Sequence, residues 1–261
     1  MATVSDRVRA GQWEIYAALA RRLISLLLFF LLWEAAARLA ASRLLPAAST
    51  VFVTIGAEMA DGRLLHHLSI TLVRVAVSFL IAMSVGTLIG VAMGWAKQLD
   101  ALFDSWVILL LNIPALVVIV LAYVWLGLNE LALLIAVALN KLPTVVVTLR
   151  EGARALDRDY SELMRSFQLG PWRGLRHVIL PQLYPFLLVS ARSGLSLIWK
   201  IVLVAELLGR SDGVGFMIQL YFQLFDVTHI LAYTIAFAAV VQAIEWGVLQ
   251  PIERRAGRWR R

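Results

Sequence analysis

Six stretches of apolar residues, each long enough to cross a lipid bilayer as a helix, dominate this sequence. Of its 261 residues, 61% are hydrophobic and only 16% are charged, whereas a soluble domain is about half apolar and about a quarter charged. A helix needs roughly 20 apolar residues to span the hydrocarbon core. We therefore predict an all-α polytopic membrane protein with a single membrane domain. The predicted spans are 23–41, 68–95, 106–126, 131–149, 186–208 and 229–249.

Basic residues flank these spans unequally. If both termini lie inside, the outer segments hold only Arg43, Arg63 and Arg210, and most of the other lysines and arginines lie in inner segments. Basic residues concentrate on the cytoplasmic side of membrane proteins, so this orientation is expected, and the net charge of +7 does not indicate nucleic acid. The resulting segments are a cytoplasmic tail (1–22), the membrane domain (23–250) and a basic cytoplasmic tail (251–261).

The first apolar run has a rival interpretation as a signal peptide, because basic residues precede it and small residues follow it. An uncleaved span is favoured, since Glu34 and Arg38 stand where a cleavage site would lie and further spans follow.

Small residues recur at every fourth position along the second predicted span. This spacing places them on one face of a helix, and such a stripe lets two membrane helices approach closely. We expect this face to pack against another helix. The residues are Ser78, Ala82, Gly86, Gly90 and Gly94.

Polar residues interrupt the apolar runs at two further points. Asn112 and Pro114 break the third span. Because proline leaves a backbone carbonyl free, we expect this kink to face the interior of the helix bundle. Arg74 lies near the outer end of the second span and is expected to extend its charge towards the interface.

Lys141 and Lys200 lie deep within the fourth and fifth spans, where a charge costs at least about 2.5 kcal/mol. Both are expected to face the interior. One interpretation is a cationic lining for a small anion such as a sulfonate, nitrate or carboxylate, with Asn112 and Asn140 as hydrogen-bond donors. The other is that each lysine is paired within the protein, with a carboxylate or with carbonyls that prolines leave free. The candidate carboxylates are Glu206 and Glu245.

The polar stretch from 150 to 185 separates the fourth span from the fifth and is predicted to be cytoplasmic. Apolar residues return every three or four positions up to Phe167, which predicts a short amphipathic helix. Gly170 and Pro171 break it, and a second short helix is expected to end near Pro181. Two such helices have too little apolar surface to form a domain, so we expect them to present one face to a partner.

Common motifs of catalysis and nucleotide binding are absent from the sequence, including HExxH, GxSxG and the P-loop. The absence of cysteine excludes disulfides and thiolate metal sites. His66 and His67 are adjacent and therefore do not share a helix face, so no metal is expected. Active work by such a chain would draw its energy from a gradient or from a partner.

The segment ELMRSFQLGPWRGLRHVILP, from Glu162 to Pro181, resembles the cytoplasmic EAA loop of binding-protein-dependent ABC importer permeases. Glu162 and the Leu180–Pro181 pair match that pattern at the right separation. The departures are Leu163 and Met164 for two alanines, Gln168 for glycine and Val178 for isoleucine, with Gly170 two residues beyond the usual glycine. Segments 204–218, Ile113–Pro114 and the surroundings of Arg74 resemble the nitrate/sulfonate/taurine branch of the family.

This resemblance covers residues from about 65 to 250 and implies the MetI-like fold with both termini cytoplasmic. It also implies a multi-pass protein of the bacterial inner membrane that imports a small solute, an anion of the nitrate/sulfonate/taurine class, and is not itself an enzyme. The implied partners are a second permease, a cytoplasmic ATPase dimer that binds ATP and Mg²⁺, and a periplasmic solute-binding protein; no cofactor would bind this chain directly. The residues expected to contact the ATPase are Glu162, Leu163, Met164, Arg165, Phe167, Gly170, Leu180 and Pro181.

Other functions stay open at this point. A gradient-driven secondary transporter or channel would use an ionisable residue such as Lys141 and would need no ATPase. An intramembrane enzyme using His66 and His67 is disfavoured, because no partner ligands accompany them. The central polar stretch has its own alternative, a surface helix held on anionic lipid by its arginines.

Overall fold

A computed structural model of the chain describes residues 4–156 and 170–251. Regular structure in these ranges is helical throughout, and no strand occurs in them. The helices are α1 (Val4–Ala40), α2 (Ala48–Ala60), α3 (Arg63–Trp95), α4 (Lys97–Asn112), α5 (Ala115–Leu126), α6 (Glu130–Arg154), α7 (Pro171–Gly174), α8 (Leu180–Gly209), α9 (Val214–Gln223) and α10 (Val227–Ile244). Two π-helical segments follow α7 and α10, π1 (Leu175–Ile179) and π2 (Glu245–Leu249).

Four helical stretches in the described ranges are long and apolar enough to cross a membrane: Arg63–Trp95, Glu130–Arg154, Trp172–Gly209 and Val227–Gly247. Three of them contain the predicted second, fourth and fifth spans, and the last overlaps the predicted sixth span, 229–249, but ends two residues before it. The first predicted span, 23–41, overlaps α1, which ends one residue earlier at Ala40. The total of six spans and the orientation of the termini stay predictions.

The third predicted span differs from expectation. It consists of two helices, α4 and α5, bent by 99° at Ile113–Pro114, and not of one kinked helix. Proline disfavours helical geometry at the residue before it, and Ile113 is accordingly extended, with φ −76° and ψ 124°. The expectation that this break faces the interior was wrong for the single chain, because Asn112 and Pro114 are both exposed.

The small-residue stripe of α3 lies against α6, and these two helices form the most extensive helix contact in the described ranges. A Cβ atom placed on Gly90 would lie 2.6 Å from the carbonyl oxygen of Val146, and one on Gly86 would lie 2.7 Å from Cβ of Val145. Ser78 and Ala82 are fully buried along the same face, and Gly94 approaches Ala153. The lack of larger side chains on this face therefore lets the two backbones approach each other closely.

A hydrophobic core joins α3, α5, α6, α8, α9 and α10. Its fully buried members include Ile119, Leu133, Ile198 and Tyr233. Large apolar side chains on the outer faces of α1, α3 and α5 are exposed, as expected for surfaces that meet lipid. The core holds α8 beside α3 and α6. The opposite side of α8 consequently remains exposed.

Substitution of Gly90 by alanine is expected to lower the thermal stability of the purified protein, because overpacking a close contact costs about 1–3 kcal/mol and the obstructing atom belongs to the backbone of α6. The matched control is Gly56→Ala, since a Cβ atom at Gly56 meets nothing within 4 Å. Thermal unfolding in detergent is the measurement. Equal melting temperatures for the two variants would contradict close α3–α6 packing.

Candidate functional site

The end of the bundle that is predicted to face outward, here called the outer end, contains a buried ionic cluster centred on Arg74. Its side chain is only 2% exposed and donates hydrogen bonds to three carboxylates. The distances are 2.7 and 2.8 Å to Glu130, 2.8 Å to Glu206 and 2.5 Å to Asp212. The expectation that Arg74 extends towards the interface was therefore wrong, since the guanidinium is enclosed and satisfied within the chain.

Glu206 is the fully buried carboxylate of this cluster. Besides Arg74, it accepts hydrogen bonds from Thr71 Oγ1 at 2.9 Å and from the backbone N–H of Gly215 at 2.9 Å. The loop wraps closely around it, because a Cβ atom on Gly213, where φ is +100°, would lie 2.3 Å from the carboxylate. The sequence-based option that Glu206 pairs with a lysine is not realised.

Asp212 lies in the loop between α8 and α9, outside the membrane-spanning helices. Partial burial by itself would raise the pKa of this carboxyl, but hydrogen bonding to Arg74 and the nearby positive charges hold the pKa below its ordinary value. Asp212 therefore stays ionised at neutral pH and keeps the loop tied to Arg74.

Lys141 lies inside the chain and is 1% exposed. Its ammonium group has no hydrogen-bond partner within residues 4–156 and 170–251. The side chain passes behind α8, where a Cβ atom on Gly194 would lie 2.9 Å from Cε of the lysine. Lys141 therefore faces the interior, as its depth predicts, but it lines no surface of the single chain.

The exposed face of α8, within a stretch long and apolar enough to cross a membrane, carries polar groups. Arg192, Ser193, Ser196 and Lys200 are all exposed, and their spacing places them along one side of the helix. Arg192 lies 3.6 Å from Glu245 at the end of α10. Glu245, the second carboxylate that the sequence offered as a partner for a lysine, therefore lies next to Arg192. The side chain of Lys200 is exposed on the surface of the single chain.

The two asparagines predicted to serve as donors lie elsewhere. Asn112 is exposed, and its amide donates to the carbonyl oxygen of Ile108 at 2.7 Å. Asn140 is half-buried on α6. The chain by itself does not bring these side chains together with Lys200.

The opposite end of the bundle, predicted to face inward and here called the inner end, contains ion pairs where the central polar segment begins. Arg150 at the end of α6 is bonded to Asp100 at 3.0 Å and Asp104 at 2.5 Å, and Arg154 also pairs with Asp100. These contacts join α4 to α6 at the start of the segment. A cavity of about 670 Å³ opens there, lined by Met93, Gly94, Trp95, Lys97, Asp100, Ala153, Arg154 and Leu156.

Most of the predicted ATPase-contacting residues, namely Glu162, Leu163, Met164, Arg165 and Phe167, lie outside the described residues. Gly170, Leu180 and Pro181 are described, and all three are exposed. The π1 segment connects Gly170 and α7 to α8 without an intervening loop. Any displacement at Gly170 would therefore act directly on the helix that carries Lys200.

Two features of the outer end were not anticipated from the sequence. Glu58 of α2 is 3% exposed, accepts a hydrogen bond from Tyr233 at 2.8 Å and pairs with Arg63 at 2.9 Å, so it ties α2 to α10. His67 accepts a hydrogen bond from the N–H of Gly213 at 3.0 Å.

No group of three or more potential ligands arranged for a metal occurs in the described ranges.

Comparison with known proteins identifies relatives over most of the chain. The family described as "Binding-protein-dependent transport system inner membrane component" matches residues 63–244. The putative aliphatic sulfonates transport permease protein SsuC of Bacillus subtilis is 30% identical, with 83% of this chain and 78% of that protein covered. The taurine transport system permease protein TauC of Escherichia coli is 26% identical, with 76% and 72% covered.

A solved structure with the same fold is the MetNI methionine ABC transporter in inward-facing conformations. The match has a TM-score of 0.58 at 18% identity and covers 75% of this chain and 95% of that one. At this identity the likeness establishes a shared fold. The prediction of an all-α, MetI-like membrane protein is confirmed.

Replacing Arg74 with methionine is expected to destabilise the protein by about 3–5 kcal/mol, because Glu206 would remain buried without its counter-charge. Arg38→Met is the control, since Arg38 pairs with Glu34 on an exposed surface and such pairs contribute little. Thermal unfolding and expression yield would be compared. A normal melting temperature for Arg74→Met would show that the cluster does not hold the outer end together.

Proposed function

The chain belongs to the family of binding-protein-dependent transport system inner membrane components, and from that membership we propose that it moves a small anion through a pathway lined by α8. It is an ABC importer permease of the inner membrane and a non-catalytic subunit, and the ATPase is a separate partner. The observation that carries the anion proposal is the exposed, cationic and hydroxyl-bearing face of α8.

The anionic substrate class is supported by two independent lines. Relatives are named for transport of aliphatic sulfonates, taurine and bicarbonate. Lys200 is exposed within a predicted span, where a cation that neither pairs with protein nor contacts water is costly. A water-filled pathway containing an anion gives this ammonium both solvent and a counter-charge.

A second copy of the chain is the proposed cover for the α8 face. Hydrocarbon tolerates charged and hydroxyl-bearing surfaces poorly, so the exposed ammonium of Lys200 and the hydroxyls beside it call for a polar environment. Symmetric pairing of two α8 faces would enclose a pathway between them. Lys141, behind Gly194, would lie inside the wall without touching the solute.

The central segment 150–185 is the proposed docking site for the ATPase on the cytoplasmic side. Its amphipathic helix would place Leu163, Met164 and Phe167 in a groove of the ATPase, with Glu162 and Arg165 at the rim. ATP and Mg²⁺ would bind to that partner, and closure of the ATPase dimer would displace Gly170, π1 and α8 as one unit. A solute-binding protein would deliver the anion at the outer end.

Neutralising Lys200 is expected to reduce uptake of an anionic substrate at least tenfold, because the pathway loses its exposed outer cation. Lys200→Met and Lys200→Arg would be compared at equal expression in cells that contain the ATPase and the binding protein. The arginine variant keeps the charge and should retain most uptake. Wild-type uptake by Lys200→Met would refute the cationic lining.

Docking by the central segment predicts that Leu163→Glu lowers co-purification with the ATPase, because a charge would be forced into an apolar groove. The control is Leu128→Glu, the same change in the exposed outer turn between α5 and α6. Affinity purification through a tag on the permease is the measurement. Transport by the purified chain without any ATPase would instead support a gradient-driven transporter or channel.

A further inference from the structure

An open cavity of about 650 Å³ lies between α8 and α10, on the inner side of Lys200. Its polar lining consists of Arg192, Ser193 and Ser196 from α8 with Gln242 and Glu245 from α10 and π2; Val189 and Val241 complete it. All these residues belong to two of the four apolar stretches long enough to cross a membrane. Ionisable groups within such stretches are candidates for a functional site.

The donors in this cavity suit an oxyanion. The guanidinium of Arg192 presents several N–H groups in a fork that matches sulfonate, carboxylate or phosphate oxygens. Ser193 and Ser196 donate to the carbonyl oxygens of Ser190 and Ser193 at 3.2 and 3.0 Å, and hydroxyl rotation would redirect them to a ligand. The amide of Gln242 offers further donors.

Glu245 is placed as a displaceable counter-ion. Its carboxylate lies 3.6 Å from Arg192 and retains 27% exposure, a separation longer than a charge-assisted hydrogen bond. Glu245 is also the first residue of π2, and π-helical turns occur frequently at functional sites. The ring contact between Trp199 and Phe237 lies one turn further outward, so the cavity is set below the level of Lys200.

We propose that this cavity is an inner oxyanion site, at which the transported anion displaces Glu245 from Arg192 before it leaves for the cytoplasm. The proposal rests on the anion-importing function proposed above and adds a second, inner site to it. Arg192 stands eight residues from Lys200, or about 12 Å along the helix axis at ~1.5 Å per residue. Return of Glu245 to Arg192 would expel the anion and keep the inner site from retaining it.

This arrangement predicts that loss of the counter-ion strengthens binding and slows transport. In Glu245→Gln, the anion no longer competes with the carboxylate of Glu245, so the dissociation constant should fall at least tenfold and the maximal uptake rate should fall as well. In Arg192→Gln, binding at this site should be lost. The double variant Arg192→Gln/Glu245→Gln removes both charges together, guards against misfolding and should bind as weakly as Arg192→Gln.

The experiment uses the permease–ATPase complex in nanodiscs without the solute-binding protein. Equilibrium binding of ethanesulfonate, nitrate and bicarbonate would be measured for the wild type and the three variants, and uptake rates would be measured in cells. Tighter binding with slower uptake in Glu245→Gln supports the inner site. Unchanged binding and unchanged uptake in both single variants overturn it, even if wild-type cells import the anion normally.

Two additional measurements distinguish an inner transport site from a lipid site and from a failure of anion import. Failure of wild-type cells to import any of the three anions would count against the anion-importing function itself, and with it the inner site. A phospholipid headgroup offers the same oxyanion chemistry, so nanodiscs with and without phosphatidylglycerol would be compared. Displacement of the bound anion by phosphatidylglycerol would assign the cavity to lipid and overturn its role in transport.

Discussion

Charge in hydrocarbon must be paired or hydrated, and this constraint organises the molecule. At the outer end the chain meets it alone, because Arg74 is enclosed by Glu130, Glu206 and Asp212. Along α8 the ammonium of Lys200 is exposed at membrane depth, so the constraint is met there only with water or a second chain. The Arg74 cluster therefore has its counter-charges within the chain, whereas the exposed face of α8 needs water or a second chain to accommodate Lys200.

The close contact between α3 and α6 connects the Arg74 cluster at one end of the bundle to the Arg150 ion pairs at the other. Gly90 and Gly86 bring the backbones together in the middle, the Arg74 cluster ties α3 to the start of α6 at one end, and Arg150 ties α6 to α4 at the other. In the proposed mechanism this pair stays rigid while α8, continuous with π1, moves against it. Gly194 on the moving helix leaves room for the buried side chain of Lys141.

Local patterns in the sequence were sufficient for the helices and for the small-residue stripe, because helix formation and close approach depend on residues three and four apart. They did not give the angle at Pro114, which depends on packing beyond the proline. Nor did they find the partners of Arg74, since Glu206 is distant in sequence. Two charges within separate predicted spans, Arg74 and Glu206, were the available sign that a buried pair exists.

The positions of the two lysines also could not be predicted fully from local sequence patterns. Depth alone predicted that Lys141 and Lys200 face the interior, yet Lys141 is buried inside one chain and Lys200 lies on its surface. Helix rotation separates them, and rotation is set by tertiary packing. The ATPase-contacting residues from Glu162 to Phe167 stay predictions, because they lie outside the described residues and rest on the resemblance to the EAA loop.

The central claim is that the exposed face of α8 borders water and not lipid. The chain has no cysteine, so single cysteines at Ser196 and at Leu80 provide a direct comparison; Leu80 is 61% exposed on α3 and lies next to Phe79, which approaches Gly194 of α8. Reaction with a small, charged thiol reagent in the assembled transporter is the measurement. If the α8 face borders water, labelling is rapid at position 196 and slow at position 80; equal, slow labelling at both positions would show that this face does not border water.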